Sequence, residues 1–146
     1  MLVNRRISKY IVIYLGLSLA SNVFASVDNS PKPGGVYKLK QGIYVGGSEN
    51  CEAPSNKELR KYTGSGLDSI HSRACKVVVI ARKANRYNIE QRCTESVGQS
   101  RRQGVERQVV IVRDALTFSQ TLNGVSTTYN YCAPYQLPNS AKTAFQ

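Results

Sequence analysis

The chain has 146 residues, of which 41% are apolar and 20% charged, with a formal net charge of +11. That length suits one domain of common size and leaves no room for a second. The basic excess disfavours cationic partners and favours polyanions or acidic proteins, but it carries no information about fold.

Residues 1–25 read as an export signal. Arg5, Arg6 and Lys9 precede the apolar run IVIYLGLSLA, and Val23, Phe24 and Ala25 form a small-residue exit. The run is shorter than the about 20 apolar residues of a spanning helix, and no comparable run follows it. Cleavage after Ala25 predicts a soluble domain in the periplasm or secreted. It would hold 17 basic residues against nine acids, a formal charge of +8.

Residues 26–35, SVDNSPKPGG, are expected to be a flexible leader, because prolines and glycines dominate and apolar side chains are scarce. A single β domain is expected over 36–136. Residues 36–46, VYKLKQGIYVG, suit an opening strand bent at Gly42. Ser55 and Glu58 have capping-box spacing, which predicts a short helix over about 56–62. From Cys75 the chain alternates strand and turn through CKVVVIA, RYNIEQRC, VERQVVIV, LTFSQTL and VSTTYNYC. The stretch TESVGQSRRQG is read as a loop and Asn123-Gly124 as a type I′ hairpin turn. Residues 137–146 are expected to be a flexible tail.

The fold class that follows is mainly β: a small antiparallel meander of about six strands, curled into a barrel or sandwich, with one short helix and two disulfides. A two-residue loop at 123 and 124 sets Leu122 opposite Val125, Phe118 opposite Tyr129 and Leu116 opposite Tyr131. All the large apolar residues then share one side. Centring the first hairpin on Ala84 sets Val79 opposite Ile89, Ala81 opposite Tyr87, and Cys75 opposite Cys93. These registers assign Tyr87, Tyr129 and Tyr131 to the core, while Tyr135, in the Pro-rich exit CAPYQLP, is expected at the surface.

Cys51, Cys75, Cys93 and Cys132 are an even set in an exported chain, which predicts two disulfides. Their intervals of 23, 17 and 38 residues contain no C-x₂₋₄-C pair, so no metal site is expected, and no dinucleotide or phosphate loop points to a cofactor. Of the three connectivities, Cys51 with Cys75 and Cys93 with Cys132 is favoured here, because it clamps the predicted helix at both ends. The alternative in which Cys75 bonds Cys93 leaves Cys51 with Cys132.

His71, the one histidine, lies near Asp68 and Ser69. On a strand, residues two apart stand roughly 6–7 Å apart, too far for a nucleophile and its base, so the letters of a triad carry little weight. A nuclease-like enzyme or toxin using His71 with Glu90 or Glu106 stands as the enzymatic alternative. The arginines are more informative. The hairpin register opposes Lys76 to Arg92 and Arg82 to Arg86, an unfavourable pairing of like charges that makes sense where an anion docks. Lys83, Arg101 and Arg102 extend the set. The expected function is therefore an exported, non-enzymatic module that binds an anionic macromolecule or acidic protein through Lys76, Arg82, Lys83, Arg86, Arg92, Arg101 and Arg102. A further alternative is an accessory subunit of an envelope or secretion assembly, meeting an envelope protein through an edge strand near 36–46 or the tail after Cys132.

Overall fold

The structure is a computed structural model and describes Asp28 and residues 32–146. The expected signal, residues 1–25, lies outside the described residues, as do five of the ten leader residues. Eight strands follow in chain order: β1 (Gly42–Gly46), β2 (Leu59–Tyr62), β3 (Leu67–Asp68), β4 (Ser72–Lys83), β5 (Arg86–Val97), β6 (Ser100–Asp114), β7 (Thr117–Leu122) and β8 (Val125–Cys132). A short helix, α1 (Asn139–Thr143), ends the domain. The strands form one antiparallel sheet in the order β3-β2-β1-β8-β7-β6-β5-β4, nearly closed into a barrel.

The strand count is eight rather than six because β2 and the two-residue β3 form where no strand was expected. The helix predicted over 56–62 is a single 3-10 turn, Asn56–Glu58, that runs straight into β2. Its capping serine is engaged elsewhere: Ser55 donates both its Oγ–H and its main-chain N–H to the Glu49 carboxylate. Leu59 and Tyr62 then bury on opposite sides of an extended segment. The loop expected at TESVGQSRRQG is a tight turn at Gly98 and Gln99, where Gly98 has φ 60°, and its flanks belong to β5 and β6.

The opening segment also divides. Only Gly42–Gly46 is a strand, and it is flanked by β2 and β8, so it presents no free edge. Residues 34–39 fold into a turn held by a bridge between Gly34 and Leu39. That turn drops Tyr37 and Leu39 into one end of the barrel. The Tyr37 ring meets Tyr87 edge-on at 5.3 Å and Tyr62 at 5.8 Å. The Tyr62 hydroxyl donates to the Gly34 carbonyl and accepts the Tyr37 N–H. Burial pushes the Tyr37 and Tyr44 hydroxyls well above the usual phenol range, so both stay neutral while the protein is folded.

The interior is aromatic: Tyr44, Phe118 and Tyr129 join Tyr37, Tyr62 and Tyr87, which bears out the assignment of Tyr87 and Tyr129 to the core. Tyr131 is half-buried against this cluster and Tyr135 is exposed. In the last hairpin Leu122 faces Val125 and Phe118 faces Tyr129, as the turn chemistry requires. Asn123 and Gly124 both have positive φ, at 50° and 81°. A second cluster forms on the outer surface. Residues 137–146, expected to trail away, instead fold back so that Leu137, Ala141 and Phe145 cover Val45, Leu59 and Cys132. Burying one such phenylalanine stabilises by about 1.5–3 kcal/mol, enough to hold a helix of five residues.

The disulfides join Cys51 to Cys132 and Cys75 to Cys93, not the favoured pairing. The reason is the missing helix: Cys51 and Cys75 do not bracket a helical excursion, because β2 and β3 pass between them in the sheet. Cys51 lies instead beside the end of β8.

The first and last strands of the sheet meet along a seam. Gln91, on the inner face of β5, accepts the Leu67 N–H with Oε1 at 2.9 Å and donates Nε2–H to the Leu67 carbonyl at 3.0 Å. One side-chain amide thus satisfies β3 as a neighbouring peptide would. The Asp68 carboxylate accepts the main-chain N–H groups of Ala74 and Cys75. Val77 N–H bonds the Ser65 carbonyl. Gly66 passes so close to Cys75 that a Cβ there would lie 2.5 Å from the Cys75 oxygen.

Two predictions follow from this geometry. Gln91→Ala strands a buried N–H and C=O and is expected to lower stability by about 2–4 kcal/mol, read as a lower urea midpoint. Peptide mapping of unreduced protein is expected to recover the 51–132 and 75–93 pairs. Removing the first bridge should cost roughly 4–5 kcal/mol and the second roughly 3, because the first closes the longer loop.

Candidate anion-binding face

Strands β4, β5 and β6 continue past the barrel. β7 accompanies β6 only from Val109 onward, whereas β5 and β6 stay paired out to Val97 and Ser100. The projecting three-stranded arm has two faces set by period-two alternation. Register puts Lys76 opposite Arg92, Arg73 opposite Thr94, Glu90 opposite Arg107, Thr94 opposite Gln103 and Ser96 opposite Arg101. All of these side chains stand on the outer face.

Among the described residues, five cations therefore share one surface with a single acidic side chain. Glu90 bonds Arg92 at 2.9 Å and lies 3.9 Å from Arg107, while the two arginine side chains remain 63% and 81% exposed. One anionic group between two guanidiniums leaves net positive charge, and Lys76 beside Arg92 adds to it. Next to them is an open groove of about 540 Å³ lined by Arg73, Thr94, Ser96 and Arg101. The Arg73 guanidinium is steadied by the main-chain oxygens of Ala144 and Gln146. The C-terminal segment thus orients one cation of the groove. Guanidiniums next to threonine and serine hydroxyls suit carboxylate, sulfate or phosphate oxygens.

The seven residues expected from sequence do not form one cluster. Lys76, Arg92 and Arg101 share the outer face. Lys83 and Arg86 oppose each other at the hairpin turn, six residues from Arg92, or about 20 Å along the strand. The expected pairing of Arg82 with Arg86 is corrected: a bulge between Val79 and Ala81 shifts the register, so Arg82 faces Tyr87 and Lys83 faces Arg86. Arg82 lies over the Tyr87 ring, 4.8 Å from its centroid. The opposition of Ala81 to Tyr87 fails for the same reason. Arg102 sits on the other face of the arm, where its Nε donates to Glu95 at 2.8 Å. Two contributors were missed, Arg73 and Arg107. The turn at Gly98, recognised as a hairpin, would have set Arg107 opposite Glu90.

His71 lies in the exposed turn between β3 and β4. Its main-chain carbonyl accepts the Ser96 N–H and its N–H is held by the Ser69 hydroxyl, while its imidazole makes no hydrogen bond among the described residues. Asp68 is spent on the seam, so Asp68, Ser69 and His71 do not assemble a catalytic relay. Among the described residues no helix is long and apolar enough to cross a membrane.

No family model matches the chain, and neither a curated protein nor a solved structure is significantly similar to it.

Replacing the lone acid tests the electrostatics of the face. Glu90→Gln is expected to raise retention on a heparin column, eluting at higher salt, because the arginines it restrains are released. It should cost no more than about 1 kcal/mol of stability, since these pairs are exposed.

Proposed function

We propose that the protein is an exported, non-enzymatic binding module that captures an anionic macromolecule or acidic protein on the outer face of the β4–β5–β6 arm. The observation that supports this reading most directly is the opposition of Lys76 and Arg92, with Arg73, Arg101 and Arg107 on the same side and Glu90 as the one acidic side chain among them in the described residues. Like charges directly opposed on neighbouring strands destabilise a sheet, and an incoming anion relieves that repulsion. A periplasmic or secreted location suits the reading, because two disulfides persist in an oxidising compartment. Lys83 and Arg86 at the far turn extend the positive field toward a partner larger than a single ion.

The test is a comparison of two charge-matched double variants. Arg92→Glu with Arg101→Glu should weaken binding of heparin and of poly-L-glutamate about tenfold or more at low salt, and flatten its salt dependence, as expected when ion contacts are lost. Lys57→Glu with Lys142→Glu changes net charge equally away from the arm and should have a clearly smaller effect. Equal losses in the two would reduce the site to net charge. Failure of the wild type to bind either polyanion would overturn the reading.

A further inference from the structure

The sheet has an unfinished edge. β4 is the last strand in the order and pairs only with β5. Its other side is covered as far as Val77, whose N–H bonds the Ser65 carbonyl across the seam. Beyond that point Val78–Lys83 make no main-chain bond to any element but β5 among the described residues. Alternation from Val77 turns the Val79 N–H and C=O outward as well. Six residues of open edge span about 20 Å.

The side chains along this edge are unusual for one left open. Val78, Val79 and Ile80 are 52%, 41% and 58% exposed, a run of aliphatic residues where edge strands ordinarily carry charge or proline against unwanted pairing. The other open edge of the arm, β6 before Val109, is guarded in that way by Arg101, Arg102 and Arg107. That stretch leaves one aliphatic residue exposed, Val105 beside Glu106, whereas β4 sets three in succession next to unpaired backbone.

Charge selects the occupant. Basic residues stand at both ends of the open run, Lys76 before it and Arg82, Lys83 and Arg86 after it. A second copy adding its own β4 antiparallel about Val79 would set Lys76 opposite Arg82. Centred between Val79 and Ile80, it would set Lys76 opposite Lys83. Either arrangement opposes like charges at both ends of the pairing. A strand carrying carboxylates at its ends and β-branched residues at its centre meets complementary charge and apolar surface together.

We infer that the open edge of β4 receives an extended, acidic segment of a partner protein as a ninth strand. Main-chain bonds to the Val79 edge supply the pairing, Val78 and Ile80 supply apolar contact, and Lys76, Arg82 and Lys83 fix the partner's sign. The inference rests on the reading of the arm as a surface for an acidic partner, and it narrows that partner to a protein.

The probe is a fluorescein-labelled peptide of about nine residues, long enough to span the edge, with valines at its centre and glutamates at both ends. Anisotropy titration is expected to show saturable binding. Val79→Pro, which deletes an outward N–H without touching the β5 ladder, should weaken it about tenfold or more, and Ile80→Lys with Arg82→Glu should do the same should the proline variant fold poorly. Arg92→Glu with Arg101→Glu should reduce heparin binding while leaving the peptide within about threefold, which separates failure of the edge from failure of the basic face. Equal binding of a peptide N-methylated at alternate residues would overturn the inference, because strand addition needs those N–H groups. So would sedimentation of the wild type as a dimer that Val79→Pro converts to monomer, since the occupant would then be a second copy.

Discussion

The seam between β3 and β4 is the constraint on which the rest of the molecule depends. An eight-stranded sheet of this size has two edges to satisfy, and its aromatic inner face stays dry only while they are drawn together. Two-residue β3 is too short to pair by ladder alone. The Gln91 amide replaces the missing peptide partner, and the Asp68 carboxylate anchors the start of β4. The Cys75–Cys93 bridge lies beside them and locks β4 to β5 at the same level. Buried polar groups of this kind are costly unless paired, and here each amide and carboxylate oxygen of the seam has a partner in the strand it closes.

Closure is partial, and its extent determines what is left to bind. The seam stops at Val77, so the last half of β4 emerges with one side bare. On the opposite side β7 ends at Leu122, so β5 and β6 run on unsupported and their outer face becomes a platform. Both candidate surfaces are consequences of unequal strand lengths in one sheet. The twelve residues of β4, twelve of β5 and fifteen of β6 exceed what a barrel with a six-residue β7 can enclose.

Charge distribution follows the same division. Inside, the ionisable groups are tyrosines held neutral by burial, and Arg60 at 5.1 Å over the Tyr129 ring has its Nε bonded to Gln120. Outside, Arg92 and Arg107 extend into solvent around Glu90. The outer cluster under α1 serves a different end: it ties Cys51, Cys132 and Phe145 together and brings the chain's last residues against Arg73, so the groove of the arm includes a cation oriented from the C-terminal segment.

Local chemistry was enough to settle much of this in advance. Alternation of apolar residues gave the strands from β4 to β8, because period two is a property of neighbours along the chain. Asn123-Gly124 set the register of the last hairpin, since few dipeptides accept positive φ at both positions. An even number of cysteines announced two bridges, and the basic excess announced an anionic partner class as the expectation to test. What the tertiary structure decided were choices between locally equivalent options. Ser55 could cap a helix or bond Glu49, and only the folded loop offers Glu49. Cys51 could reach any of three partners, and the position of β8 selects Cys132. Arg82 leaves the face of Arg86 because a bulge after Val79 shifts the register, and nothing in KVVVIARK marks where that extra residue falls; Arg102 falls on the face opposite Arg101 by alternation along β6. Arg73 and Arg107 join Lys76 and Arg92 through the pairing of three consecutive strands, β4, β5 and β6, and the unrecognised turn at Gly98 hid the third of them.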